Sequence, residues 1–141
     1  MNLKPHIETS HLILLAEDDI DDQEMLIEAI REQDASVEFL VANTGSKALN
    51  LLKNIDESKI PSLILLDYNL PEISGAEILM RLKDIHKYEN VVKVVWSTSN
   101  SLVYQKKCME LGAFSYIVTP NGIEEVKNIA KTIIELTSKQ V

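Results

Sequence analysis

Acidic and hydroxyl residues in this chain stand directly after apolar runs. Glu17 and Asp18 follow Leu12-Ile13-Leu14-Leu15-Ala16, and Asp67 follows Leu63-Ile64-Leu65-Leu66. Ser97 follows Val91-Val92-Lys93-Val94-Val95-Trp96, and Thr119-Pro120 follows Phe114-Ser115-Tyr116-Ile117-Val118. Short apolar runs with polar breaks read as strands buried on both faces, the kind that fills a parallel sheet. In open sheets of that type ligands bind beyond the carboxyl ends of the strands, so these residues share one edge. The three carboxylates can then converge. Two carboxylates about 4 Å apart repel by roughly 4 kcal/mol at an effective dielectric near 20, so the cluster needs a cation. Oxygen donors without Cys or His favour a hard ion, and Mg²⁺ held by carboxylates plus water fits best. A carboxylate beside Mg²⁺ can attack phosphorus and form an aspartyl phosphate, with the Ser97 hydroxyl donating to a phosphoryl oxygen. Each signal has a plainer alternative. An aspartate can merely close a strand, the acidic run can be a solvated helix start, and Ser97 with Thr98 can simply cap a helix.

The elements that must position these groups follow from periodicity. From Ile20 the apolar positions Met25, Leu26, Ala29 and Ile30 predict a first helix to about Glu32, with acidic residues at its positive end. Val37 to Val41 predicts strand 2. Asn43-Thr44-Gly45-Ser46 supplies turn and capping chemistry for helix 2, which uses Ala48, Leu49, Leu51 and Leu52, and Lys53 to Lys59 reads as a polar connection. Helix 3 starts near Ser74-Gly75 with Ala76, Ile78, Leu79 and Leu82. His86 to Asn90 reads as a loop, and Val91 to Trp96 as strand 4. Helix 4 runs from about Leu102 to Leu111, with Cys108 and Met109 as packing residues and Gly112 as terminator. Phe114 to Val118 is strand 5, and helix 5 carries Val126, Ile129, Ile133, Ile134 and Leu136. Five strands alternating with five helices predict right-handed crossovers and a three-layer α/β sandwich. Residues 1–10 read as a polar lead-in and residues 11–141 as a single domain.

Composition narrows the function classes. The 141 residues, 45% hydrophobic and 26% charged, suit one globular domain. No apolar run approaches a membrane span and no signal-peptide pattern opens the chain, so a cytoplasmic location is expected. Cys108 is the only cysteine and His6, His11 and His86 are scattered, which argues against a disulfide, a histidine metal site or a Cys-His nucleophile pair. The net charge of −8, without a basic stripe, opposes direct nucleic acid binding.

Four pieces in order carry a resemblance: Leu14-Leu15-Ala16-Glu17-Asp18-Asp19; Leu65-Leu66-Asp67-Tyr68-Asn69-Leu70-Pro71 with Gly75; Val95-Trp96-Ser97-Thr98-Ser99; and Gly112-Ala113-Phe114-Ser115-Tyr116-Ile117-Val118-Thr119-Pro120. The sequence resembles a response-regulator receiver domain of two-component signalling from about Leu12 to Leu136. The resemblance implies a flavodoxin-like fold with a parallel five-stranded sheet of order 2-1-3-4-5. It implies that Asp67 accepts a phosphoryl group from a histidine kinase or phosphotransfer protein. Glu17, Asp18, Asp67 and the backbone oxygen of Asn69 would hold Mg²⁺, Ser97 would be the switch hydroxyl, and Tyr116 the switch aromatic. Thr119 stands where receivers carry a lysine that pairs with the phosphoryl group, so a positive charge is missing there. Lys106 or Lys107 is a candidate to compensate. The Glu17-Asp18 pair and long last helix are similar to the single-domain receivers that partner phytochromes and hybrid kinases.

The leading expectation is a stand-alone receiver, not an enzyme beyond phosphotransfer onto its own aspartate, that switches its helix 4–strand 5–helix 5 face for a partner or a second copy of itself. The alternative is a phosphorylation-independent pseudo-receiver adaptor, favoured by Thr119 and opposed by the intact acidic cluster. An aspartate phosphatase fits less well, because Asp67-Tyr68-Asn69 lacks the second aspartate that would serve as acid/base. A flavin carrier fits worst, since Glu17-Asp18-Asp19 would repel a phosphate.

Overall fold

The apolar runs become strands and the helical periods become helices in the order the sequence predicts. The structure, a computed structural model, describes residues 11–119 and 122–138. In chain order the elements are β1 (Leu12–Ala16), α1 (Ile20–Gln33), β2 (Glu38–Ala42), α2 (Gly45–Asn54), β3 (Leu63–Asp67), α3 (Gly75–Leu82), β4 (Val92–Ser97), α4 (Leu102–Glu110), β5 (Ser115–Val118) and α5 (Ile123–Thr137). The sheet order is β2-β1-β3-β4-β5 and every neighbouring pair is parallel. The flavodoxin-like arrangement is therefore present.

Side chains alternate across each strand, so the sheet splits the core into two layers. Leu14, Ala16, Ile64, Leu66 and Val95 pack against Ala48 and Leu52 of α2, Ile78, Leu79 and Leu82 of α3, and Cys108 of α4. On the other face Ile13, Leu15, Leu63, Leu65, Val94 and Trp96 meet Leu26 and Ile30 of α1 and Val126, Ala130 and Ile133 of α5. Helix starts are held by side-chain caps: Asp19 accepts from the Asp22 N–H, Thr44 from Lys47, Ser74 from Glu77 and Ser101 from Tyr104. Gly112, with φ of +107°, follows α4 in a conformation that favours glycine.

Some boundaries differ from the periodicity for identifiable reasons. Val37 is buried but outside the β2 ladder, because its N–H turns back to the Asp34 carbonyl while Glu38 pairs with His11. The ladders of β4 and β5 begin at Val92 and Ser115, one residue later than expected. α2 continues to Asn54, and the polar connection after it contains a short 3₁₀ turn at Glu57–Lys59. The segment read as a loop at 86–90 contains a second 3₁₀ turn, His86–Tyr88, which seats Tyr88 in the core with its hydroxyl on the Leu52 carbonyl. Met109, expected to pack, is exposed, whereas Cys108 is buried. The Thr119–Pro120 bond, residues 1–10 and the chain end lie outside the described residues. Among the described residues no helix is long and apolar enough to cross a membrane.

Candidate functional site

The register of the sheet brings the strand-end residues together. β1 pairs with β3 through Ala16 and Leu66, which leaves Glu17 and Asp67 as the next residues on adjacent strands. Asp67 lies opposite Trp96, so Ser97 follows at the same edge, and Ser97 in turn lies opposite Val118. Carboxylate oxygens of Glu17, Asp18 and Asp67 lie within 4.8 Å of one another. Glu17 is buried at 3% exposure, Asp67 is half-buried and Asp18 is exposed, so the cluster opens to solvent on one side.

Local hydrogen bonds fix the carboxylates. The Asp19 N–H donates to Glu17 Oε2 (2.9 Å), and the Glu17 N–H donates to the Ala42 carbonyl (3.0 Å). Gln23 Nε2 donates to the Glu17 carbonyl from the first turn of α1. The Asn69 N–H donates to Asp67 Oδ1 (3.0 Å), an Asx-type turn that directs the chain away from β3. Gly75 starts α3 directly behind the aspartate, where a Cβ would lie 2.5 Å from the Asp67 carbonyl oxygen.

The electrostatics are those of an uncompensated acidic cluster. Burial pushes the Glu17 carboxyl up to about 8 from its ordinary 4.5, and the charges of Asp67, Asp22 and Asp18 add to it; the Asp19 N–H acts the other way. Asp67 is also raised, first by burial and then by Asp18, against the bond from Asn69. Among the described residues the charged groups that act on these two are acids, and neither Lys106 nor Lys107 is among them. Both lysines are exposed on α4. An all-oxygen donor set that holds protons above the usual carboxylate range suits a hard divalent cation, which would replace the protons.

Ser97 Oγ accepts the Ser99 N–H (3.0 Å), leaving its own hydrogen for an acceptor at the edge. Thr119 is joined to the Ser97 carbonyl through its N–H at 2.7 Å. Tyr116 stands apart from the carboxylates, with its hydroxyl on the Ser99 carbonyl at 2.9 Å. Three features escaped the sequence reading. Asp19 caps α1 and orients Glu17, a role that its three-residue spacing to Asp22 could have signalled. Tyr68, next to Asp67, stacks on Tyr104 of α4 with ring centroids 4.5 Å apart, and Gly45 touches the loop after β3; neither long-range contact has a sequence signal.

A flavodoxin-like parallel sandwich with an acidic cluster and a strand-end aspartate at the carboxyl edge defines a class of α/β protein. The response regulator receiver domain profile matches residues 13–131, and the chain belongs to that family. It is 28% identical to the two-component response regulator ARR7 of Arabidopsis thaliana over 86% of its length, and it spans 62% of that relative. Among solved structures it is similar to the phosphorylated cyanobacterial phytochrome response regulator RcpA, with 27% identity, a TM-score of 0.84, and 94% of this chain and 97% of that one covered. It is also similar to the Mn²⁺-bound response regulator Rcp1, with 25% identity, a TM-score of 0.80, and 93% and 96% covered.

Proposed function

We propose that this receiver takes a phosphoryl group onto Asp67 from a phosphohistidine of a histidine kinase or phosphotransfer protein. The observation that carries this reading is the convergence of the Glu17, Asp18 and Asp67 carboxylates within 4.8 Å at the carboxyl edge of the sheet. An Asp67 carboxylate oxygen attacks phosphorus, the P–N bond breaks, and the imidazole leaves with a proton from solvent. Glu17, Asp18, Asp67 and the Asn69 carbonyl would hold Mg²⁺, which supplies charge neutralisation for the incoming oxygens. Ser97 donates its hydroxyl to a phosphoryl oxygen. RcpA, solved in phosphorylated form, and Rcp1, solved with Mn²⁺, support the reading by likeness.

The same hydroxyl links the site to the opposite flank. Ser97 Oγ also accepts the Ser99 N–H, and the Ser99 carbonyl holds Tyr116, so a phosphoryl group that shifts Ser97 would be felt at that ring. The surface that would respond carries Leu102, Val103, Tyr104 and Met109 of α4 with Phe114 and Val118 beside them, all exposed, and it would meet a partner or a second copy. The group modified is the protein's own aspartate, with no turnover of a separate substrate. Thr119 brings a hydrogen-bond donor without a positive charge, so phosphotransfer is slower than a lysine there would allow.

Incubation with Mg²⁺ and phosphoramidate, followed by intact mass measurement, tests the reading. A phosphate adduct is expected on the native protein and not on Asp67→Asn, and Thr119→Lys should form it faster. Absence of any adduct would leave the phosphorylation-independent adaptor as the function.

A further inference from the structure

The connection between β3 and α3, residues 68–74, carries Asn69 and determines how Asp67 is presented. It is tied at its start by the Asn69 N–H on Asp67 Oδ1 and at its end by the Gly75 N–H on the Tyr68 carbonyl (3.1 Å). Its crest is held from a different element. The Gly45 N–H, first in α2, donates to the Pro71 carbonyl at 3.0 Å, and that carbonyl also accepts the Ile73 N–H at 2.8 Å. Between them Glu72 has φ of +72°, a left-handed conformation that a non-glycine residue adopts only under restraint. α2 approaches so closely that a Cβ at position 45 would lie 1.8 Å from Ile73 O, 2.7 Å from its carbonyl carbon and 2.9 Å from its Cβ. Two of these atoms are backbone, so no side-chain rotation relieves the clash. The loop and helix must separate by about 1.2 Å for the nearest contact to reach 3.0 Å.

We propose that Gly45 is a positioning residue for cation binding, acting through this loop; the inference rests on the metal-site reading above. Its missing side chain lets α2 seat the crest of the loop that carries Asn69, whose carbonyl would be one of the oxygens around a small six-coordinate ion. Mg²⁺ requires near-octahedral oxygens at about 2.0–2.1 Å, whereas Ca²⁺ accepts six to eight oxygens at about 2.3–2.6 Å in irregular arrangements. A displaced loop therefore discriminates between the two ions, which a general loss of stability does not do.

The test is calorimetric titration of Mg²⁺ and, separately, Ca²⁺ into the whole chain. Gly45→Ala should weaken Mg²⁺ binding about tenfold or more, in the range usual for groups that orient metal ligands. Its Ca²⁺ affinity should fall about threefold or less, given the looser geometry that ion accepts. The control is Ala48→Gly, one turn further along α2 and fully buried, which loosens the same helix without adding an atom against the loop. It should lower the unfolding midpoint and leave the Mg²⁺/Ca²⁺ ratio unchanged. If Gly45→Ala does not fold, Pro71→Gly loosens the crest from the other side, and the same fall in the ratio is expected. Unchanged Mg²⁺ affinity, an equal loss of both ions, or the same ratio change in Ala48→Gly would overturn the proposal. A native chain that binds neither ion removes the metal-site reading and this inference with it, an outcome visible before any variant is made.

Discussion

The flank formed by α1 and α5 and the flank formed by α4 are attached to the same sheet in opposite ways. α1 and α5 bury Leu26, Ala29, Ile30, Val126, Ala130, Ile133 and Leu136 against one another and against β1, β3 and β4. α4 buries only Cys108 among its residues and leaves Leu102 78% and Val103 74% exposed. Its first turn is held instead by the Tyr104 stack on Tyr68, and the loop before it by the Tyr116 bond to the Ser99 carbonyl. The difference shows where this fold places rigidity. The carboxylates stand at the ends of strands locked by a two-sided core, while the neighbouring helix rests on contacts of modest strength that lead back to Asp67 and Ser97. Elements that move are drawn from the least stable parts of a structure, and α4 meets that condition.

Truncation gives the largest contrast. Ile30→Ala on α1, at a fully buried position, should cost about 2–5 kcal/mol, whereas Leu102→Ala on α4 should stay within about 0.5 kcal/mol. Urea unfolding measures both, and similar losses would break the comparison.

The rigid flank also predicts a pH effect, because it keeps Glu17 buried, with the acids Asp67, Asp22 and Asp18 beside it. Glu17 keeps its proton to about 8 in the folded metal-free protein and to about 4.5 once unfolded. Between these values the folded state binds the extra proton, so stability falls as pH rises from about 5 to about 8. Saturating Mg²⁺ should flatten or reverse that slope. Thermal midpoints across this range, with and without the ion, decide it; a metal-free protein that gains stability toward pH 8 would contradict the electrostatics of the site.

The smallest effect sharpens the picture of α4. Tyr104→Ala should cost about 0.5–1.5 kcal/mol, the value of one aromatic stack, and Tyr104→Phe should retain most of it. Hydrogen exchange in the first turn of α4 should quicken in the alanine variant and not in the phenylalanine one. Equal exchange in both would mean that the stack does not hold the helix.

Strand-forming runs and strand-end carboxylates are short-range features, and they were legible. Leu63 to Leu66 ending at Asp67 predicts a buried central strand, and the structure places β3 at those residues. Once the strands are parallel, topology alone puts Glu17, Asp18, Asp67 and Ser97 at one edge. Helix 4 was legible as a helix but not as a loosely attached one, because periodicity reports an apolar stripe and not whether anything covers it. Tyr88 illustrates the converse, since polar neighbours read as loop while a distant carbonyl, that of Leu52, draws the residue inside.

The amino-acid order by itself determined the alternation of strands and helices and the identity of the acidic cluster. These depend on residue type and on spacing within one element. Tertiary structure alone decided the upward shift of Glu17, the stack of Tyr68 on Tyr104 and the close approach of Gly45 to Ile73. Each of these joins residues far apart in the chain, and its strength depends on burial and on distances of a few ångströms, which exist only once the helices are packed on the sheet.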